Sequence, residues 1–206
     1  MSDAAPTPVP TVGPDMAPLS WPQAHLGDVS PSPWRNGGGV TRELLAWPDS
    51  QDWLWRMSVA EVACGGPFSR FPGVRRWFAV LGQGGVGLSL DGQTHVLTRS
   101  SAPLCFSGDV PADCALLDGA TQDFNLMVRS PQVAARMTRV SGRIRSTLDA
   151  AKTIAAYAID SMARVQFNDE FFEIPAQTLT WQTLPAGTTL QLSGPDFLWM
   201  EMAQCA

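Results

Sequence analysis

Trp53-Leu54-Trp55-Arg56-Met57-Ser58-Val59-Ala60-Glu61-Val62 changes character at every second residue. A β-strand points successive side chains to opposite faces, so this order groups Trp53, Trp55, Met57 and Val59 on one face and Leu54, Arg56, Ser58 and Ala60 on the other. The apolar face needs a packing partner. A face that mixes arginine with serine reads as the polar lumen of a barrel, with a solvent-facing edge strand as the simpler alternative.

Working outward, further strands are predicted at residues 75–81, 86–90, 94–98, 115–117 and 124–128, separated by Gly, Asp and Pro. Asp91-Gly92 fits the primed hairpin turn that right-twisted strands prefer. A second set is predicted at residues 136–144, 153–159, 162–167, 177–181, 188–192 and 197–202. Residues 148–158 are rich in alanine but carry no sustained apolar stripe, so most of that segment also reads as strand. Short strands at this spacing predict an all-β chain of sandwich or barrel type, with the two sets as a divergent repeat joined near Pro131.

Composition narrows the partners. The chain has 206 residues, 45% of them hydrophobic, enough for one large or two small domains with a real core. A net charge of −5 argues against nucleic acid or an anionic membrane, which require clustered cations. Lys152 is the single lysine among 14 cationic residues, and arginine suits planar, bidentate recognition of carboxylates. No window reaches the roughly 18 apolar residues of a membrane helix, and no basic stretch followed by an apolar one opens the chain, so a cytoplasmic location is expected. Cys64, Cys105, Cys114 and Cys205 lack CxxC spacing and are expected to be free thiols. Residues 1–19, with five prolines, are expected to form a flexible tail.

Trp34-Arg35-Asn36-Gly37-Gly38-Gly39-Val40-Thr41-Arg42-Glu43 sets three glycines beside a tryptophan, an asparagine and a strand-like alternation. Such a run presents backbone amides to a ligand at a site entrance, or makes a bulge. It is followed in order by Trp55-Arg56-Met57-Ser58, by Gly66-Pro67-Phe68-Ser69-Arg70-Phe71-Pro72-Gly73 and by Asp123-Phe124-Asn125-Leu126-Met127. Together these segments resemble the HutD/Ves family, over roughly residues 20–130. The resemblance implies a bicupin: two small cupin-like β-barrels of jelly-roll type, one at 20–131 holding a pocket and a packed, degenerate one at 132–206. It also implies a role in histidine utilisation, or another ligand in a stress-associated Ves-like branch.

Cupin barrels commonly carry a metal motif, a glycine followed by His-x-His and Glu ahead of a Val-Leu-x-Gly strand. Here Gly66 and Val80-Leu81-Gly82-Gln83-Gly84 fit the two ends of that frame, and Ser69, Phe71 and Arg76 stand where its ligands would be. Serine is a poor ligand, phenylalanine is none and arginine repels a divalent cation. His25 and His95 lie outside the frame, so no metal is expected. Neither NAD nor ATP is expected, because the glycine runs neither open a helix nor carry a P-loop lysine.

The expected site is therefore a metal-free anion pocket. Arg56 or Arg76 pairs with a small carboxylate, Asn36, Thr41, Ser58, Ser69 and Asn125 supply neutral polar groups, and Trp34, Phe71 and Phe106 form apolar walls. Glu43, Asp109 or Asp123 provides countercharge, and an internal Arg–carboxylate network is the purely structural alternative. By the resemblance, the ligand is an acidic intermediate of histidine degradation such as N-formylglutamate or urocanate, whose binding modulates the pathway. No catalytic residue is assigned. A metal-independent cupin isomerase or hydrolase, with Glu43 or Asp109 moving a proton and Arg76 stabilising negative charge, is the alternative from another class. A homodimer through a tryptophan-bearing sheet face is a third reading.

Overall fold

A computed structural model describes residues 21–167 and 170–205, and the expected proline-rich tail at 1–19 lies outside those residues. The first half forms β1 (Gln23–His25), β2 (Ser32–Pro33), β3 (Gly39–Trp47), β4 (Trp55–Val62), β5 (Gly66–Pro67), β6 (Val74–Val80), β7 (Val86–Leu90), β8 (Gln93–Leu97), β9 (Leu104–Ser107), β10 (Ala112–Leu116) and β11 (Thr121–Arg129). The second half adds β12 (Val133–Thr147), β13 (Lys152–Ala158), β14 (Ala163–Phe167), β15 (Glu170–Ile174), β16 (Thr178–Leu184) and β17 (Thr189–Gln204). Pairing is antiparallel throughout, in a six-stranded sheet β2-β3-β4-β11-β6-β9, a four-stranded sheet β5-β10-β7-β8 and a seven-stranded sheet β1-β16-β13-β17-β14-β15 with β12 also on β17. Residues 23–25 thus hydrogen-bond to the second half, with His25 opposite Thr178.

The alternation in β4 decides how the layers stack. Trp55, Met57 and Val59 are buried in a core that also takes Phe124, Leu126 and Val128 from β11 and Ala155, Tyr157, Leu198 and Met200 from the second half. At about 1.5–3 kcal/mol for each fully buried large apolar side chain, this contact joins the two halves strongly. The other face of the six-stranded sheet turns toward the four-stranded sheet. Phe78 and Val80 pack there against Val86, Leu88 and Cys114, closing one end of the space between the two sheets. In the second half, Ile154, Ala156, Val165, Leu192, Phe197 and Trp199 fill the face of the seven-stranded sheet that looks away from the first half. Strand β13 is therefore buried on both sides, which is why its sequence reads as a continuous apolar run rather than an alternation.

Several boundaries differ from the sequence reading. Trp53 does not share a face with Trp55: the strand starts at Trp55, and Trp53 packs instead with Val74 and Met127. The guanidinium of Arg129 lies 5.2 Å from its ring centroid and bonds its carbonyl oxygen. The strands predicted at 188–192 and 197–202 are one strand, β17, because a bulge between Val140 and Gly142 on β12 lets the ladder resume at Gly142 opposite Gly194. Ser193-Gly194-Pro195-Asp196 bends the strand without ending it. Strands β9 and β15 were not anticipated, since only Phe106 and Ile174 in them are buried and the apolar pattern is correspondingly thin.

An ionic clamp ties the halves together at the edge of the apolar contact. Asp196 accepts two hydrogen bonds from Arg139, at 2.8 and 2.7 Å, and a third from Arg99 at 3.1 Å. Arg139 also donates to the carbonyl of Val80 at 2.7 Å, and Arg99 pairs with Asp160. Burial opposes the charge on Asp196, but the hydrogen bonds and charges of Arg139 and Arg99 outweigh it and hold the carboxyl below its ordinary range. Asp196→Asn should cost about 2 kcal/mol and lower the melting temperature by about 4–8 °C near neutral pH, with the deficit shrinking as acid protonates the parent's carboxyl. Calorimetry of both proteins between pH 3 and 7 checks this; equal melting temperatures at pH 7 would show that the clamp adds nothing.

Candidate functional site

Register assembles the site. Cross-strand partners in a sheet point the same way, so three rows of side chains project into the space between the six- and four-stranded sheets. Arg56, Met127, Arg76 and Phe106 form one row across β4, β11, β6 and β9. Glu43, Ser58, Asn125 and Phe78 form the next, and Thr41, Ala60, Asp123 and Val80 the third. The bulge between Glu43 and Leu45 keeps Glu43 in this set while Leu44 and Leu45 turn to the inter-half core.

Two loops complete the walls. The segment after β5 carries Phe68, Ser69 and Phe71, and it is sewn to the β9–β10 turn by hydrogen bonds from Phe68 to Ala112 and from Phe71 to Gly108. Gly108 is required by close approach, because a Cβ there would lie 2.5 Å from the Phe71 carbonyl oxygen. On the other side, the Trp34 indole donates to Thr41 at 2.8 Å and its ring meets Phe68 edge-on. Gly39 allows this packing, since a Cβ would lie 2.3 Å from the Glu61 carbonyl oxygen and 3.2 Å from the Trp34 ring. The amides of Gly37 and Gly38 are already taken by the Trp34 carbonyl and the Asn36 side chain. The glycine run shapes the rim and gives those two amides to no ligand.

The cavity is half open to solvent and has a volume of about 470 Å³. Trp34, Asn36, Thr41, Arg56, Ser58, Ser69, Phe71, Arg76 and Asn125 line it, as the sequence reading grouped them. Four expected residues do not. Phe106 lies behind Arg76, and Glu43 reaches the cavity only through Arg56, whose Nε stands 2.8 Å from its carboxylate. That ion pair is off the line of the N–H, which keeps no aligned acceptor. Asp109 is exposed and holds the loop turn instead, accepting from Gly73 and from Ser107. Asp123 is sealed beneath the cavity floor. Sequence reasoning missed Phe68, Phe78 and Met127, although Phe68 and Met127 stand inside the quoted motifs and Phe78 follows Arg76 by the two-residue period.

Arg76 is the anomaly of the site. It is 5% exposed, forms no ion pair among the described residues, and donates one side-chain hydrogen bond, to Asn125 Oδ1 at 2.9 Å. Its Nε–H is buried without an acceptor. Phe106, Phe71 and Phe68 surround the guanidinium, with centroids 5.0, 5.4 and 5.6 Å away. Each ring contributes about 0.5–2 kcal/mol to a desolvated cation but offers no conventional acceptor to its five N–H groups. Burial, and secondarily the charge of Arg56, push Arg76 down to about 10, so it remains a cation at neutral pH. A guanidinium ringed by phenyl groups does not fit a divalent metal, and among the described residues no three His, Cys, Asp or Glu side chains converge to hold one.

Asp123 is a second buried charge problem. Its Oδ1 accepts from Thr121 at 3.2 Å while Oδ2 has no partner, and burial pushes the carboxyl up to about 7 despite the Thr121 bond. The neighbouring Cys114 thiol is pushed up to about 12 by burial and by the Asp123 and Asp113 carboxylates, so it is inert as a nucleophile.

Comparison with known proteins matches this arrangement to a family. The HutD family model matches residues 27–203. An uncharacterized 21.2 kDa protein from the hutC 3′ region of Pseudomonas putida is 35% identical over 142 residues, covering 67% of this chain and 73% of that protein. Protein Ves of Cronobacter sakazakii is 36% identical over 150 residues, 72% of this chain and 80% of its own. The structure of HutD from Pseudomonas fluorescens SBW25 in a formate condition superposes with a TM-score of 0.76 at 27% identity, over 91% of this chain and 100% of that one. An oxalate decarboxylase from Lactobacillus farciminis, in a formate complex, shares only the cupin-like all-β fold, with a TM-score of 0.62 at 10% identity over 91% of this chain and 87% of that one.

Asp123 gives the protein a signed pH dependence. The folded carboxyl titrates at about 7 and the unfolded one near 3.8, so folding retains a proton between these values and stability falls as pH rises through them. The full penalty above pH 7 is up to roughly 4 kcal/mol. Asp123→Asn should therefore match the parent near pH 4 and melt several degrees above it at pH 8. A difference in melting temperature that does not change with pH would show that Asp123 titrates normally.

Proposed function

Since the chain belongs to the HutD family, we propose that it is a cytoplasmic bicupin whose first barrel binds a small carboxylate without a metal and so modulates histidine utilisation. In this reading the barrels span residues 20–131 and 132–206, with the first strand lent to the second barrel's sheet. The observation that carries the proposal is Arg76: a buried cation with no countercharge among the described residues, in the wall of a cavity also lined by Ser58, Ser69 and Asn125. A buried charge left unpaired costs several kcal/mol, and a carboxylate in the cavity removes that cost while adding charge-assisted hydrogen bonds. The Arg–carboxylate network that would have made the site purely structural exists for Arg56 through Glu43 and not for Arg76.

The catalytic alternative draws less support. Glu43 is engaged by Arg56, Asp109 holds an exposed turn, and Asp123 has no access to the cavity, so none of these three carboxylates is free to move a substrate proton. Binding without turnover accounts for the arrangement more economically.

A ligand at a hundredfold excess over its Kd should stabilise the protein by about 2.7 kcal/mol, or about 5–10 °C in melting temperature. Thermal shifts with formate, acetate, propionate and the acids of histidine degradation are expected in the parent and absent in Arg76→Met. Ligand-free Arg76→Met should melt at or above the parent, because methionine fills much of the same volume without a charge. Loss of stability in that variant, with no acid shifting the parent, would return Arg76 to a structural role.

A further inference from the structure

We infer that the free edge of β12 at residues 141–147 is a docking site for an extended acidic segment of a partner protein, which joins the seven-stranded sheet as one more strand with carboxylates at alternate positions. The site lies away from the cavity and stands whether or not the cavity binds a carboxylate.

Topology leaves this edge open. Among the described residues β12 pairs only with β17, so one side of its backbone carries N–H and C=O groups that meet no other strand. From Ser141 to Thr147 no backbone hydrogen bond runs to any described segment besides the β17 ladder. A row of unpaired main-chain groups on an edge is a template for another strand. The side chains decide which strand is admitted. Four of the chain's 14 cationic residues, Arg136, Arg139, Arg143 and Arg145, fall on β12. Arg136 lies opposite Glu201, and Arg139 is clamped by Asp196. Arg143 and Arg145 are exposed, lie opposite Ser193 and Gln191, and form no ion pair among the described residues. The carboxylate that shares a row with Arg143, on Glu173, is held by Arg164.

Spacing and the opposite face complete the pattern. Arg143 and Arg145 leave one face of an extended chain roughly 7 Å apart, the repeat at which a neighbouring strand presents every second side chain. Carboxylates at alternate positions of the incoming strand therefore meet both guanidinium groups, and cross-strand pairs of opposite charge stabilise the ladder. On the other face Val140 and Ile144 are half-buried against the core of the second half, so the intervening positions of the incoming strand are apolar. A second copy of this chain does not fit, because pairing two β12 edges sets arginine beside arginine. A nucleic acid, with its dense phosphates, is opposed by the net charge of −5. Charged side chains ordinarily keep strands off an edge, and here the same device admits only a strand of opposite charge.

Fluorescence anisotropy with the full chain and labelled peptides near neutral pH tests this. The peptides are four Glu-Val repeats, a block of four glutamates followed by four valines, and four Lys-Val repeats. The parent should bind the Glu-Val repeats about tenfold more tightly than either control, with affinity falling several-fold as salt rises from about 50 to 250 mM. Hydrogen exchange should show added protection at residues 141–147 in that complex. Arg143→Glu with Arg145→Glu should keep the parent's melting temperature and transfer the preference to the Lys-Val repeats. Arg143→Gln with Arg145→Gln, which removes charge without reversing it, should lose about tenfold in affinity for the Glu-Val repeats and serves if the reversal does not fold. No binding of the Glu-Val repeats, equal binding of the block peptide, tighter binding of a single-stranded oligonucleotide, or a preference unmoved by the substitutions would overturn the inference. Aggregation of the glutamine variant, with no peptide bound by the parent, would reduce the two arginines to guards of the edge.

Discussion

Everything in this molecule hangs on one sheet that is buried on both faces with opposite chemistry. Strands β4, β11 and β6 turn Trp55, Met57, Val59, Leu126 and Trp77 toward the second half and turn Arg56, Ser58, Asn125 and Arg76 toward the interior of the first. A slip of one residue in β4 or β6 would carry an arginine into the inter-half core and a tryptophan into the cavity, and a slip in β11 would carry Asn125 into that core. The apolar contact between the halves therefore fixes the register of the sheet, and the register fixes the geometry of the site. The second half shapes the site by this route although none of its described residues lines the cavity.

Against that rigid background the site inverts the logic of a cupin metal centre. At the position of a glutamate ligand in the metal frame stands Arg76, and at positions of histidine ligands stand Ser69 and Phe71, all three lining the same cavity. Where a metal centre gathers donors around a cation brought from solution, this site builds the cation into its own wall and surrounds it with phenyl rings. On the carboxylate reading proposed above, the partner left to be supplied is an anion. In that proposal, burial that would be costly in an isolated ion becomes a means of recognition, since the low dielectric strengthens any charge-assisted hydrogen bond a ligand makes.

Asp123 and Arg76 illustrate how much of this was legible beforehand. Asp123 stands in a quoted motif and Arg76 within the cupin metal frame, and both were placed in the pocket from the sequence. The two-residue period put Arg56 and Ser58 on one face of one strand, because alternation is a local property of extended backbone, whereas Arg76 came from the metal frame and Asn125 from the motif at 123–127. It could not tell that Asp123, on that same side, lies below the floor, where Phe78, Val80 and Cys114 close the space. Nor could it assign partners. Glu43, Asp109 and Asp123 were equivalent countercharges in the sequence, and only the bulge at Leu44 and the turn at Gly73 sent one to Arg56 and another to the loop.

The amino-acid sequence by itself determined the all-β class of the fold and the family, because hydrophobic alternation, turn residues and the motifs are written in residue types and short spacings. Tertiary structure alone decided which cation is free and which is neutralised, and that β1 joins the sheet of the other half. It also decided that residues 189–204 make one bent strand. Each of these depends on side chains or backbones far apart in the chain meeting at distances of a few ångströms, and no local pattern encodes such a meeting.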